Sequence, residues 1–441
     1  MNSLKCLTIS RQHGLLITRN FSTSNLNLAN HKCKVLIVGG GGGGTAVGAK
    51  LCFKYGAGSV MFLEPSDRHY YQPMFTLIGG GMKKLENSYK SMKSVLPSKA
   101  EWKKDRAVAF DPKSNRVETE KGDIIEYDYM VVSTGIELNY HKIPGLVDAL
   151  ENPNSQVVSN YSPKYVTNVF KAFEKFNGGN AIFTFPASPV KCPGAPQKIC
   201  YIFEHYLRKN HKRNDAKVYY NTALPVIFGV KHYADSLWLV VKNRDINVNL
   251  STNLIEVNSE AKKATFENIV TKERTTTDFG LLHAVPPMST PSALREHSGD
   301  LVNELGFVEV HKHTMQSVRY PNVFAIGDCA NSPNSKTAAA VAGQCHVVYR
   351  NLVDVMEGKK PSKSYDGYAS CPLVTGYNTC ILAEFDYNLQ PLETFPFDQS
   401  KERLSMLIAK KDFMAPLYWY GLANGLWNGP GFIRKALNIF R

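Results

Sequence analysis

The chain has no acidic residue before Glu64, although it carries 38 aspartates and glutamates in all. Within the first 34 residues Lys5, Arg11, Arg19, Lys32 and Lys34 stand unopposed, amid serine, threonine and asparagine and with leucines spaced for an amphipathic helix. This is the composition of a mitochondrial transit peptide, assigned to residues 1–30, and RNFSTS (19–24) reads as a processing site cut after Phe21. A disordered basic tail is the alternative. No run of 18 apolar residues occurs, which argues against a transmembrane helix. There is no Cys-x-x-Cys pair, and no His/Cys group has zinc spacing. The nine cysteines, at 6, 33, 52, 192, 200, 329, 345, 371 and 380, are dispersed, which argues against a structural disulfide framework. Any bridge is then catalytic. No nucleic-acid motif accompanies the formal net charge of +14, so an anionic membrane is the better partner for it. With 441 residues, 43% hydrophobic and 20% charged, the chain can pack two or three domains and is not disordered.

What is present begins with KVLIV (34–38), a buried parallel-strand pattern, followed at once by a glycine run and a helix. Gly39-x-Gly41-x-x-Gly44 permits a tight turn and close approach to a pyrophosphate at the helix N-terminus. The next strand, SVMFLE, ends in Glu64, placed to bind a ribose hydroxyl 20 residues beyond Gly44. Residues 107–135 read as a β-meander returning through YMVVSTG to Thr134 and Gly135. VRYPNVFAIGDCAN (318–331) gives a later strand ending at Gly327 and Asp328. Between them, strands AIFTF, KVYYN, VNLSTNLIEV, KKATFEN and LLHAVPP form a second α/β pattern.

These segments in this order resemble the two-dinucleotide-domain flavoproteins. The resemblance implies an α/β fold with two Rossmann-like domains, the FAD domain discontinuous (31–160 and 311–365), the second inserted (161–310), and a C-terminal region at 366–441. It also implies FAD held by Gly39, Gly41, Gly44, Glu64, Gln72, Thr134, Gly135, Gly327 and Asp328. Lys336 is added as a candidate neighbour of the flavin, with a solvated loop lysine as its alternative.

The second domain should carry its own glycine fingerprint for NAD(P)H, and it does not. The turn after AIFTF is PASPVKCPGAP, with Gly194 its only glycine. The prolines remove the N–H donors that would hold a pyrophosphate, which counts against a nicotinamide donor. In its place stands Cys192, before a helix starting at Pro196; helix-terminal N–H groups and Lys191 would favour its thiolate. Cys371 lies in YASCPLVTGY, where Pro372 and irregular spacing point to a loop. Taken singly, either cysteine reads as inert. Cys200 and Cys329 read as packing, while Glu204 and His205 are weak candidates for moving protons.

VKCPGAPQKI, GDCANSPNSKTAAAVAGQ and YDGYASCPLVTGYNTCILAEFDY, continued by ETFPFDQSKERLSM, resemble the mitochondrial-type sulfide:quinone oxidoreductases. That resemblance implies a Cys192–Cys371 redox pair, hydrogen sulfide as donor, ubiquinone as acceptor, and glutathione or sulfite as acceptor of the sulfur. The tail from Lys410 to Arg441 is rich in aromatics and terminal cations and broken at Asn428–Gly431, which suits amphipathic helices lying in an interface. The location implied is the inner mitochondrial membrane, peripheral, on the matrix side. An NADH:quinone oxidoreductase and a redox-silent FAD-binding scaffold are the competing readings.

Overall fold

The computed structural model describes residues 30–438, so the assigned transit peptide lies outside the described residues except for Asn30, which opens the first strand; Cys6 and the last three positions also lie outside. The first strand, β1 (Asn30–Val38), buries Val35 to Val38 because strands flank it on both sides and helices cover the sheet. It pairs in parallel with β2 (Val60–Leu63) and with Ile124–Val132. Between them runs α1 (Gly42–Tyr55), which packs against the helix Ala338–Met356. The sheet has seven strands. Its long strand Ile124–Val132 pairs at one end with the antiparallel meander and at the other, Met130–Val132, with Val323–Ala325. A strand almost two hundred residues downstream thus completes the sheet that β1 begins.

A second sheet of five strands is wholly parallel, in the spatial order Val157–Val158, Leu281–His283, Gly179–Phe185, Ala216–Thr222, Ile246–Asn249. VNLSTNLIEV is not one strand, contrary to expectation. It turns at Ser251, whose φ is +52°, and Thr252–Asn258 joins a separate three-stranded antiparallel sheet. The period-2 pattern runs unbroken across that turn, so alternation alone does not reveal it.

Cys371 is also placed otherwise than expected. It lies in a strand, Ala369–Val374, paired antiparallel with Cys380–Phe385. Pro372 is opposite Leu382, whose N–H is donated outward to the Gln399 carbonyl at 3.2 Å. The pair is therefore a non-hydrogen-bonded one, and the missing proline N–H costs the ribbon nothing.

The C-terminal region is a continuous helical run from Leu404 to Leu422, partly π-wound, followed by a helix at Gly431–Asn438. No helix among the described residues is long and apolar enough to cross a membrane. The turns that follow β1, Ile124–Val132, Gly179–Phe185 and Val323–Ala325 lie at strand carboxyl ends, where α/β sheets place their ligands.

Candidate active site

One cavity of about 650 Å³ lies where these turns converge. Gly39, Gly41, Glu64, Gln72, Thr134, Gly135, Cys192, Gly327, Asp328 and Lys336 all line it. Gly44 and Cys371 do not. Gly44 faces the strand instead, and a Cβ there would overlap the Gly39 carbonyl, so it serves the close approach of α1 to β1. Gly39 takes φ +105°, a conformation L side chains rarely adopt. Glu64 closes the loop from the far side: its carboxylate accepts the Gly40 N–H at 2.7 Å and the Ser66 N–H at 2.6 Å. Burial raises its pKa, opposed by those two bonds.

The glycine loop leaves open space at Gly41, and Thr134 Oγ1 is buried in the cavity wall with no partner. An open cradle at a helix N-terminus, an acid at the end of β2 and an unmet hydroxyl fit a dinucleotide such as FAD. At the opposite wall the Gly327 N–H is donated to Gln344 Oε1 at 2.9 Å. Asp328 is raised by burial, a shift that Lys336 and Lys191 oppose. The Lys336 Nζ donates to the Ala330 carbonyl at 3.0 Å and stands 4.4 Å over the Phe307 ring.

Cys192 adopts φ +51°, unusual for a residue with a Cβ and costing roughly 1–3 kcal/mol. The turn is held by its N–H on the Lys336 carbonyl at 2.7 Å and by its own carbonyl, which accepts from Ala195 N at 2.9 Å and Tyr161 Oη at 3.2 Å. Cys371 lies behind it, fully buried, and the two are free thiols linked by a hydrogen bond from Cys371 to Cys192. A Cβ at Gly194 would run into Cys371 Sγ and Leu373. The one glycine retained in this turn is there to admit the second cysteine.

The cation bonded to Cys192 is Lys198, while Lys191, the neighbour expected from the sequence, interacts with the Cys192 charge without a bond to it. Lys198 Nζ donates to Cys192 Sγ at 3.2 Å. Lys410 adds its charge from the C-terminal run, with Nζ on the Pro73 carbonyl at 3.0 Å. Both lysines are 3% exposed. The bond from Cys371, then Lys198 and Lys410, hold Cys192 well below the usual thiol range despite its burial. That same bond, with burial, pushes Cys371 well above it. Burial and repulsion from Lys198 bring Lys410 down to about 8. The arrangement is an asymmetric pair: one stabilised thiolate at the cavity wall and one protonated thiol behind it.

Lys198 and Lys410 were not among the residues singled out from the sequence. Lys198 had a signal, because a cation in the first turn of the helix Ala195–Lys209 opposes the helix dipole unless an anion offsets it. Lys410, taken as one of the tail's interfacial cations, is instead an internal charge. Neither Glu204 nor His205 lines the cavity. Glu204 is fully buried in ion pairs with Arg208 at 2.8 Å and Arg213 at 3.5 Å, and His205 Nδ1 accepts the Tyr377 N–H at 3.3 Å. Cys200 and Cys329 are core residues.

The C-terminal run is a wall of the cavity on one face, through Lys410, Met414, Tyr418 and Leu422. Its outer face, with the helix that follows, leaves Tyr420 70%, Leu426 76% and Phe432 83% exposed.

Residues 33–165 match the family model of pyridine nucleotide-disulphide oxidoreductases. The chain is 48% identical over 413 residues to the mitochondrial sulfide:quinone oxidoreductase of Mus musculus, covering 93% of this chain and 91% of that one. It is 41% identical to the Dictyostelium discoideum protein of the same name, covering 90% and 87%. The X-ray structure of the sulfide:quinone oxidoreductase from Aquifex aeolicus superposes with a TM-score of 0.76 at 19% identity, over 92% of this chain and 95% of that one, a likeness of fold.

Proposed function

Since the chain belongs to the mitochondrial sulfide:quinone oxidoreductases, flavin-dependent enzymes that couple sulfide oxidation to quinone reduction, we propose that Cys192 and Cys371 are its redox pair and FAD its flavin. The observation that carries this is the stabilised Cys192 thiolate, with Lys198 at 3.2 Å, at the wall of the glycine-loop cavity. With the pair oxidised, hydrosulfide attacks the sulfur of Cys371. The S–S bond breaks, a persulfide forms on Cys371, and Cys192 leaves as a thiolate, a departure that Lys198 and Lys410 favour. A small nucleophile, glutathione or sulfite, then takes the outer sulfur and Cys371 leaves as a thiolate. Reclosing the bridge gives up two electrons, which reach ubiquinone with two protons to give the quinol. Bound FAD supplies the two-electron relay between pair and quinone.

Gly39, Gly41 and Gly44 shape the loop for its pyrophosphate, Glu64 faces its ribose, and Gln72, Thr134, Gly135, Gly327, Asp328 and Lys336 complete the wall. The exposed apolar face of the C-terminal run suits a peripheral seat on the inner mitochondrial membrane, matrix side, from which ubiquinone enters.

The test is to treat oxidised enzyme with one equivalent of sulfide, alkylate, digest and weigh the peptides. One extra sulfur on the Cys371 peptide is expected. Extra sulfur on the Cys192 peptide, or on neither, overturns the assignment.

A further inference from the structure

His69 is 2% exposed and lies beneath the glycine loop, away from the cysteines. Its Nδ1 is 2.8 Å from the Gly40 carbonyl, which only accepts, so Nδ1 carries the proton. Its Nε2 is then the acceptor for the Tyr418 hydroxyl at 2.5 Å. Burial keeps the imidazole neutral by lowering its pKa to about 4. Tyr418 also closes over the loop: a Cβ at Gly42 would come within 3.0 Å of its hydroxyl. Its ring packs on Tyr71 with centroids 4.7 Å apart.

Tyr418 belongs to the π-wound stretch Leu417–Leu422, a local irregularity frequent at functional sites. Trp419 packs edge-on against the His69 ring with centroids 5.7 Å apart, and the residue beyond it faces outward. Tyr420 is 70% exposed, and Lys90 Nζ stands 5.0 Å over both the Trp419 and Tyr420 rings. One hydrogen-bonded chain therefore joins the outer C-terminal run to the backbone of the loop: Tyr418 hydroxyl, His69 imidazole, Gly40 carbonyl.

We propose that His69 and Tyr418 are positioning residues for the flavin, a clasp that fixes the Gly40–Gly42 loop in its binding conformation and ties cofactor retention to the seating of the C-terminal run. The clasp acts through the loop; both side chains also line the cavity wall, and their hydrogen bonds run to each other and to the Gly40 carbonyl. It rests on the reading of that loop as the FAD site.

The test follows the release of flavin fluorescence from full-length holoenzyme after dilution. Tyr418→Phe keeps the ring and loses the clasp's terminal bond; His69→Ala removes the centre and covers the case in which the first variant folds poorly. Either is expected to release FAD roughly five- to tenfold faster, the size of one lost buried hydrogen bond. Tyr233→Phe is the control. Its hydroxyl donates to the Glu384 carbonyl at 3.1 Å and bonds to no residue of the loop or the clasp, so it should lower the melting temperature and leave FAD release unchanged. Wild-type release rates in both clasp variants, or equal acceleration in Tyr233→Phe, would overturn the clasp. Wild-type enzyme that carries no FAD would overturn the site reading itself.

Discussion

Two buried ammonium groups beside one thiol set the chemistry of Cys192. An isolated buried ammonium costs several kcal/mol, and a thiolate is the anion that offsets it. The hydrogen bond from Cys371 is the larger influence on Cys192, with Lys198 and then Lys410 behind it. Lys198→Met keeps the stem and removes the charge, so the pKa of Cys192 should rise. In the reduced enzyme, iodoacetamide alkylation of Cys192 is expected to fall at least roughly tenfold at neutral pH and to recover as the pH is raised, one pKa unit being about 1.36 kcal/mol. An unchanged pH profile would show that the thiolate does not depend on this lysine. Gly194→Ala tests the pairing by sterics. Its Cβ displaces Cys371, and turnover should drop on the order of 100-fold with flavin content intact. Cys192 and Gly194 stood out in the sequence because prolines and a cysteine replaced the glycines expected at that turn, whereas Cys371 entered only through the resemblance of its segment. Lys410 did not, since a Lys-Lys pair in a charged stretch reads as surface until the Pro73 carbonyl is placed beside it.

Among the elements, the strand–loop–helix unit of β1 and α1 was legible because its glycines are steric requirements. The ribbon that carries Cys371 was not. A proline in a short apolar stretch signals a break, and only the partner strand shows that Pro372 occupies a site needing no N–H. Pro372→Ala should therefore cost little, about 0.4–1 kcal/mol through the freer unfolded chain, read from a denaturant melt. Gly44→Val should behave oppositely, since its side chain must displace the Gly39 carbonyl. The expected product is folded or partly folded protein purified without flavin. Full flavin content in that variant would mean that the loop does not hold the cofactor. The split of VNLSTNLIEV between two sheets was missed for another reason: the alternation was followed through Ser251-Thr252-Asn253, a turn-favouring cluster whose corner is marked by the Ser251 φ of +52°.

For the whole molecule, the governing feature is that one C-terminal run serves two surroundings, the cavity on its inner face and an apolar exposed surface on its outer one. Aromatic richness and terminal cations were visible in the sequence; which side chains turned inward was not, because helical periodicity is blurred where the winding becomes π. Leu426→Ser with Phe432→Ser removes two of the most exposed apolar groups, each giving about 1.5–3 kcal/mol on burial. Co-sedimentation with anionic vesicles should weaken by roughly 100-fold or more, with the melting temperature held. Retention at the wild-type level would place the membrane contact elsewhere. The central claim is that electrons from sulfide reach the flavin through the cysteine pair. The most direct measurement adds sulfide together with sulfite as sulfur acceptor, each in slight excess, to anaerobic enzyme and follows the flavin absorbance, then adds a short-chain ubiquinone. Wild-type flavin should bleach and recover with quinone, whereas Cys192→Ser and Cys371→Ser should stay oxidised. Bleaching of both variants at the wild-type rate would contradict the account.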